Sequence, residues 1–342
     1  MIIFSIIGAL IGAGFASGQE MYLFFYKFGI YGILGLLLCS SLIGMVIYKT
    51  FLIIHNKNIS NYQDFLNEIF YKGKKQPKNK YLNLSYISNV IVNIFLLVTF
   101  YIMISGFGAY FEQEFKIHKI IGAIFLAIIC FMILLKDIEG VKKVNSVVVP
   151  ILICIILIIS IINIRTIDTS RISLKHNYNW IIQAIVYCSY NMILVIPVLV
   201  GLKKYVKNVK QIKIIAIISG FIVFLLAISI FLWLTNINNS FENLEMPAVY
   251  VIDTKFPNFS WIYGIVILLS IFSTAISIGI SFLKNVVKSK KNYPQFVAIM
   301  CISSVLISNI GFSNLVKMLF PVFGYLGIIQ IYFILTSKSE LS

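Results

Sequence analysis

Long apolar runs alternate with short polar segments along the whole chain. Each run is roughly 20 residues long, the length that an α-helix needs to cross the hydrocarbon core of a bilayer. The pattern predicts ten membrane-spanning helices, numbered here as spans 1 to 10 in chain order. The predicted spans are Ile2–Phe28, Gly29–His55, Leu84–Phe111, Ile117–Leu135, Asn145–Ile164, Trp180–Leu202, Val209–Thr235, Phe259–Leu283, Tyr293–Ile310 and Leu315–Leu335. The predicted fold class is therefore an all-α polytopic membrane protein.

The composition agrees with a membrane protein and argues against a soluble domain. Of the 342 residues, 60% are hydrophobic and only 12% are charged, whereas soluble domains contain about 25% charged residues. The formal net charge is +16, but the lysines and arginines lie in short clusters between the apolar runs, which indicates membrane topology and not a nucleic-acid interface. The spans contain no constellation of His, Asp, Glu and Cys of the kind that catalysis needs, so neither an enzyme nor a cofactor is expected.

The distribution of positive charge predicts how the chain is oriented. Ten spans place both termini on the same side of the membrane. If that side is cytoplasmic, most of the 28 lysines and arginines fall at the cytoplasmic ends of spans, as the positive-inside rule requires. No basic segment precedes the first apolar run, so span 1 is predicted to be retained and not cleaved as a signal peptide. The N- and C-termini are thus predicted to be cytoplasmic.

The spacing of the spans also predicts an internal repeat. Spans 1, 3 and 4 recur as spans 6, 8 and 9 at an offset of about 175 residues, a regularity typical of secondary transporters. Because five spans is an odd number, the second half must cross the membrane in the opposite sense. The prediction is an inverted 5+5 repeat, with residues 1–164 and 178–336 as its halves within a single membrane domain. The alternative is a chance regularity of loop lengths.

Span 1 contains the string GALIGAGFASGQE, Gly8 to Glu20, where lipid-facing apolar residues are expected. Irregular backbone at membrane depth is tolerated only where it lines a cavity. At about 1.5 Å of rise per residue, Gly12, Ala13 and Gly14 lie near the midplane of the bilayer. Glycine accepts unusual dihedral angles cheaply, so the helix is predicted to open here. The alternative is that the small residues form a close helix-packing face.

A second polar cluster, YCSYN, lies halfway along span 6, the repeat-related partner of span 1. Its residues Ser189, Tyr190 and Asn191 are followed by Pro197, whose nitrogen cannot donate a helical hydrogen bond. Helices 1 and 6 are therefore both predicted to be discontinuous, with their openings facing each other at mid-membrane depth. The three polar residues of span 6 are predicted to contact a substrate there.

Glu20 is an ionisable residue in an apolar span, which by default indicates function. It could bind a substrate ammonium group or carry a proton. Alternatively, Ser17 and Glu20 fit the S-x-x-E capping box, in which Glu20 would close back on the start of an outer half-helix. A third alternative is simple solvation, because the depth count places Glu20 close to the outer interface.

Span 8 presents a stripe of hydroxyl groups at helical spacing, namely Ser270, Ser273, Thr274, Ser277 and Ser281. Together with free carbonyls, hydroxyls on one face could ligate a hard cation such as Na⁺. The alternative is that they bond to carbonyls of their own helix. In span 3, Tyr101 is a further candidate to reach the cavity and hydrogen-bond a substrate carboxylate, its alternative being ordinary packing.

The ten-span layout, with GAGFASGQE in span 1, resembles the amino acid–polyamine–organocation superfamily, and within it the YkvI-like amino acid permeases of Firmicutes. The likeness covers the whole chain in layout, whereas the sharp motif covers only span 1 and, more weakly, span 6. It implies a LeuT-type fold, in which amides of the opened span 1 bind the substrate carboxylate. In this chain those amides belong to Ala13, Gly14 and Phe15.

The same resemblance implies a sodium site between spans 1 and 8. Its ligands would be the carbonyls of Gly8 and Ile11, the backbone of Ser270, and the hydroxyls of Ser273 and Thr274. Some members of the superfamily use protons instead, so both Na⁺ and H⁺ stay open as the coupling ion.

The function implied is an ion-coupled secondary transporter, of symporter type, for a small amino acid or a related amine in the bacterial plasma membrane. The expected partners are this small molecule and the lipid bilayer, with no nucleic acid. The alternative is a transporter-like amino acid sensor, such as a germination receptor subunit. The polar segment Glu242–Pro257 is predicted to be an outer lid over the pathway or, alternatively, an ordinary surface loop.

Overall fold

The computed structural model describes residues 1–72, 77, 83–162, 164–166, 170, 172, 178–236, 246–289, 291–308 and 312–337. Within these ranges the chain is helical and contains no β-strand. Its α-helices are α1 (Ile2–Leu10), α2 (Ala13–Ala16), α3 (Gln19–Phe24), α4 (Ile30–Asn56), α5 (Tyr62–Tyr71), α6 (Leu84–Phe115), α7 (Lys119–Leu134), α8 (Asp137–Ile162), α9 (Asn179–Leu202), α10 (Val209–Leu234), α11 (Pro247–Lys255), α12 (Ser260–Val286), α13 (Tyr293–Ile307) and α14 (Phe312–Thr336).

Seven helices in the described ranges are long and apolar enough to cross a bilayer, namely α4, α6, α8, α9, α10, α12 and α14. The helices α7 and α13 are apolar but shorter, and α1 to α3 together occupy predicted span 1. Every predicted span therefore coincides with helical structure, and the chain is a multi-pass membrane protein. The count of ten crossings, and the inverted repeat of residues 1–164 and 178–336, remain predictions.

Two helices form the centre of the bundle. The most apolar window of α9 is 89% buried and that of α12 is 72% buried, whereas those of α8 and α14 are only 33% buried. The first helix, α1, packs against α8, α9, α10 and α12. Predicted span 1 thus begins beside both central helices, where polar groups are shielded from lipid.

The prediction that span 1 is interrupted is confirmed. Helix α1 ends at Leu10, and Ile11 (φ −92°, ψ 82°) and Gly12 (φ −93°, ψ −170°) leave helical geometry. A second interruption, at Gly18 (φ +80°), separates the four-residue α2 from α3. Gly18 has left-handed backbone geometry, and a Cβ there would lie 3.0 Å from the Cβ of Ala248. Glycine is therefore required at this position for conformation and for space.

The prediction that helix 6 is discontinuous is wrong. Helix α9 runs without a break from Asn179 to Leu202, with Pro197 inside it. The hydroxyl of Ser189 and the side-chain amide of Asn191 each donate to the carbonyl four residues earlier, at 2.7 and 2.9 Å. Because these polar groups are satisfied within the helix, they need no opening of its backbone.

Candidate functional site

The first interruption of span 1 is held by hydroxyl groups of α12. Thr274 Oγ1 donates to the carbonyls of Gly8 and Ile11, at 2.8 and 2.9 Å. Ser273 Oγ lies 3.3 Å from the Gly8 carbonyl oxygen. The structure therefore brings together four of the residues predicted to form the cation site, and all of them are buried. Hard cations bind neutral oxygen ligands of this kind. The cluster offers four of them, from two carbonyls and two hydroxyls.

Asn145 of α8 completes this polar cluster and was missed as a site residue in the sequence. It is fully buried, its Oδ1 lies 3.1 Å from Ser273 Oγ, and its Nδ2 donates to Ser277 Oγ at 2.7 Å. The hydropathy pattern placed Asn145 at the start of span 5. Helix α8 begins at Asp137 instead, so Asn145 lies about two turns inside the helix. A prediction that started this helix at Asp137 would have placed Asn145 inside the span and identified it as a candidate.

Space around this cluster is tight. A Cβ added to Gly8 would lie 2.3 Å from Ser273 Oγ and 2.9 Å from Asn145 Nδ2. Real Cβ atoms do not approach heavy atoms so closely, so the close approach of α1, α8 and α12 depends on glycine at this position. The packing alternative for the small residues of span 1 is thus correct at Gly8, alongside its carbonyl contact.

The remaining hydroxyls of the α12 stripe bond to their own helix. Ser270 Oγ donates to the carbonyl of Ile267, Ser277 Oγ to that of Ser273, and Ser281 Oγ to that of Ser277, at 2.7 to 2.8 Å. For these three side chains the alternative of bonding within the helix is correct. The backbone of Ser270 as a cation ligand stays a prediction.

Carbonyls in the outer part of span 1 also accept hydrogen bonds from other helices. The hydroxyl of Tyr263, on α12, donates to the carbonyl of Ala16 at 2.5 Å. The peptide N–H of Ala248, at the start of α11, donates to the carbonyl of Ser17 at 2.8 Å. Helix α11 belongs to the predicted lid, and it lies directly on the second interruption. Residues 242–245 of that predicted lid are outside the described residues.

Several carbonyls of span 1 have hydrogen-bond partners on other helices, but the peptide N–H groups of its opened segment have none among the described residues. These N–H groups belong to Gly12, Ala13, Gly14 and Phe15. In the part of the chain that the structure describes, no acceptor is found for any of the four. All four residues are buried. Buried peptide N–H groups are nearly always hydrogen-bonded, so this run of donors is a place where a ligand could be held. It contains the three amides that were predicted to bind a substrate carboxylate.

Glu20 does not lie where the capping-box alternative or the solvation alternative placed it. The N-cap of α3 is Gly18 and not Ser17, no side chain caps it, and Glu20 is only 3% exposed. Both the capping box and the solvated position are therefore wrong. The physical reason is the left-handed turn at Gly18, which starts α3 in a new direction and places Glu20 inside the bundle.

The carboxylate of Glu20 lies between the opened segment and α9. Its Oε2 accepts hydrogen bonds from the hydroxyls of Tyr187 and Tyr190, at 3.0 and 2.5 Å. A Cβ added to Gly14 would lie 2.3 Å from Oε1. Of the three residues predicted in span 6, Tyr190 thus contacts span 1. Tyr187, one turn earlier on the same face, was missed, although its spacing of three residues from Tyr190 indicates a shared face.

Three predicted contact residues are not brought to this place. The Ser189 and Asn191 side chains bond to their own helix backbone, as described above. The hydroxyl of Tyr101 lies 2.8 Å from Ser303 Oγ on α13, a helix outside the opened segment. This contact supports the alternative of ordinary packing for Tyr101, and its contact with a substrate carboxylate stays a prediction.

The chain was compared with protein families, curated proteins and solved structures. No protein-family model matches it. It is 29% identical to the uncharacterized membrane protein YkvI of Bacillus subtilis, over 98% of this chain and 95% of YkvI. It is 27% identical to the uncharacterized protein YyaD of the same organism, over 94% of this chain and 92% of YyaD.

Among solved structures, the chain matches MhsT in complex with L-phenylalanine, with a TM-score of 0.67 and 15% identity. The match covers 96% of this chain and 87% of MhsT. MhsT has a LeuT-type fold. The chain is thus similar to YkvI and YyaD along nearly its whole length and has the LeuT-type fold of MhsT.

Proposed function

We propose that this membrane protein is an ion-coupled secondary transporter of a small amino acid or a related amine. The observation that carries the proposal is the convergence of span 1 carbonyls and α12 hydroxyls at a break in the helix. Structures of this kind occur at the sites of secondary transporters, where unwound carbonyls coordinate the coupling ion. The LeuT-type fold supports the same function.

The coupling ion that fits the residues best is Na⁺. Gly8 and Ile11 would contribute carbonyl oxygens, and Ser273 and Thr274 would contribute hydroxyl oxygens. Thr274 Oγ1 already lies 2.8 and 2.9 Å from the two carbonyl oxygens, and Ser273 Oγ lies 3.3 Å from that of Gly8. A cation among them would replace these hydrogen bonds. The backbone carbonyl of Ser270 would be a further ligand.

The substrate would be held by the opened segment. The N–H groups of Ala13, Gly14 and Phe15, which have no acceptor among the described residues, are suited to a carboxylate, because anions bind where several peptide N–H groups converge. MhsT, which has the same fold, binds L-phenylalanine in its solved structure. That ligand supports a carboxylate-bearing substrate for this chain, and the substrate would contact Tyr190 across the opening.

Alternating access would expose this site to the two sides of the membrane in turn. A cavity of about 720 Å³ extends from Ser277 and Ser281, beside the cation cluster, to Lys203 and Lys284. These lysines mark the end of the bundle that the positive-inside rule assigns to the cytoplasm. Helix α11 covers the opposite end of the opened segment. In the proposed transport cycle, this arrangement would correspond to an inward-facing state.

The topology is part of the same proposal. The chain would cross a bacterial plasma membrane ten times, with both termini in the cytoplasm. Residues 1–164 and 178–336 would be the inverted repeats of a single membrane domain. The two short apolar helices, α7 and α13, would be the fourth and ninth crossings.

Uptake measured in proteoliposomes tests the proposal. The purified protein is reconstituted, and each radiolabelled amino acid is supplied with an inward Na⁺ gradient, an inward H⁺ gradient or no gradient. The proposal predicts gradient-driven accumulation of at least one amino acid. Saturable binding without accumulation under any gradient would contradict transport and favour a sensor.

A further inference from the structure

The carboxylate of Glu20 lies beside a cluster of aromatic rings. The rings of Phe24, Tyr187 and Tyr190 form a cluster with centroid separations of 5.2 to 5.6 Å. The two tyrosine hydroxyls both donate to Glu20 Oε2. Among the described residues, no lysine, arginine or histidine forms an ion pair with Glu20.

A positive partner would stabilise such a buried carboxylate. Glu20 Oε2 accepts both hydroxyl hydrogen bonds, as an ionised carboxylate oxygen can. An ionised carboxylate inside an apolar bundle is strongly destabilised unless a cation pairs with it. Because Oε2 is engaged by the tyrosines, the partner would meet Oε1, which faces the opened segment at Gly14.

We propose that Glu20, together with Tyr187, Tyr190 and Phe24, recognises the ammonium group of an organic substrate. The proposal rests on the transport function proposed above and names the chemical group that its substrate must carry. Aromatic faces beside a carboxylate attract organic ammonium ions through both charge pairing and cation–π contact. A ligand with no ammonium group leaves the carboxylate buried and unpaired.

The position of Glu20 also fits a zwitterion. Its Oε1 lies beside Gly14, one of the residues whose N–H groups lack an acceptor in the described chain. The ammonium and carboxylate of an α-amino acid are separated by a single carbon atom. One such ligand can therefore meet Glu20 with its ammonium group and the opened segment with its carboxylate.

The test uses ligands that differ only in these groups. The full chain in detergent is titrated calorimetrically with L-alanine, ethylamine and propionate, and with L-phenylalanine, phenethylamine and 3-phenylpropionate. The amino acid of at least one series is expected to bind, with the corresponding acid weaker by about tenfold or more. Glu20→Gln is expected to weaken the ammonium-bearing ligands roughly 10- to 100-fold, the loss expected for a charge-assisted hydrogen bond. Glu112→Gln, an equal change of charge at an exposed position of α6, is expected to leave binding unchanged.

Several results would overturn the proposal. These are binding of the acids as tight as that of the amino acids, unchanged affinity in Glu20→Gln, or no binding of any ammonium-bearing probe. A Glu20→Gln variant that keeps its affinity but loses the pH dependence of uptake would assign Glu20 to proton transfer instead. Glu20-dependent binding without uptake would contradict the transport proposal alone and leave the ammonium site standing.

Discussion

Span 1 and helix α9 contain similar sequence signals but have different backbones. Both carry small and polar residues at mid-span, and both were predicted to open. Span 1 is interrupted at Gly12 and Gly18, whereas α9 is continuous through Ser189 and Asn191. The polar side chains of α9 donate hydrogen bonds to carbonyls of their own helix. A polar residue in a span therefore does not by itself predict a break.

The difference lies in what neighbouring helices supply. An unpaired peptide group buried in an apolar environment costs several kcal/mol. In span 1, Thr274, Tyr263 and Ala248 donate to carbonyls that the interruptions release. A membrane helix opens where glycine permits the geometry and other elements provide these donors.

The largest effect is expected for Gly8→Ala. The added methyl group would overlap Ser273 Oγ and Asn145 Nδ2, and overpacking of this kind typically destabilises by about 1–3 kcal/mol. We expect a lower thermal unfolding temperature in detergent and loss of stabilisation by Na⁺. Gly12→Ala is the matched control in the same segment, because its nearest neighbour is the flexible Met103 side chain at 3.3 Å. Equal effects of the two variants would contradict the assignment of close contact at Gly8.

The next largest effect is expected for Thr274→Val, which keeps the side-chain shape and removes the donor to two carbonyls. Leaving buried acceptors unpaired costs about 1–3 kcal/mol, and removing a cation ligand should weaken Na⁺ binding about tenfold or more. Thermal unfolding as a function of NaCl concentration measures both quantities. Thr254→Val is the control, because Thr254 bonds only within α11. A Na⁺ response in Thr274→Val that equals that of the parent would remove α12 from the site.

Asn145→Ala should have an intermediate effect. It removes contacts to Ser273 and Ser277 but none of the four proposed ligand oxygens, so Na⁺ binding should weaken severalfold, by roughly 1 kcal/mol. Ser146→Ala is the control at the next position, where the hydroxyl bonds to its own helix. A severe loss equal to that of Thr274→Val would make Asn145 a direct ligand, and no loss would make it a packing residue only.

The smallest effect is expected for Ser189→Ala in α9. The variant loses one hydrogen bond within the helix, so its stability should change by less than about 0.5 kcal/mol. Uptake and Na⁺ stabilisation should equal those of the unchanged protein. Loss of uptake with normal stability would restore the predicted substrate contact at Ser189 and weaken the contrast between span 1 and α9.

The sequence predicted the parts of this protein that depend on hydropathy and on glycine. Apolar runs of bilayer length coincide with helices of the structure, because segment length follows directly from bilayer thickness. The glycines of GALIGAGFASGQE identified the interrupted helix, and the family resemblance identified Ser273 and Thr274 as the hydroxyls that meet Gly8 and Ile11.

The predictions that failed or stay untested depend on side-chain direction and not on residue type. Asn191 and Tyr101 are polar residues in spans, but one bonds to its own helix and the other faces α13. Glu20 was placed by counting along a straight helix, and the turn at Gly18 removes the basis of that count. Asn145 was hidden by a helix start that lies eight residues earlier than its hydropathy suggested.

The most direct test of the central claim compares stabilisation by Na⁺ and K⁺ at equal ionic strength. Thermal unfolding is measured for the unchanged protein, for the double variant Ser273→Ala with Thr274→Ala, and for Ser160→Ala as a control whose hydroxyl bonds within α8. The account predicts that Na⁺ stabilises the unchanged protein and the control more than K⁺ does, and that the double variant shows no difference between the two salts. Equal stabilisation of the unchanged protein by both salts, or a Na⁺ preference that survives in the double variant, would contradict a sodium site between span 1 and α12.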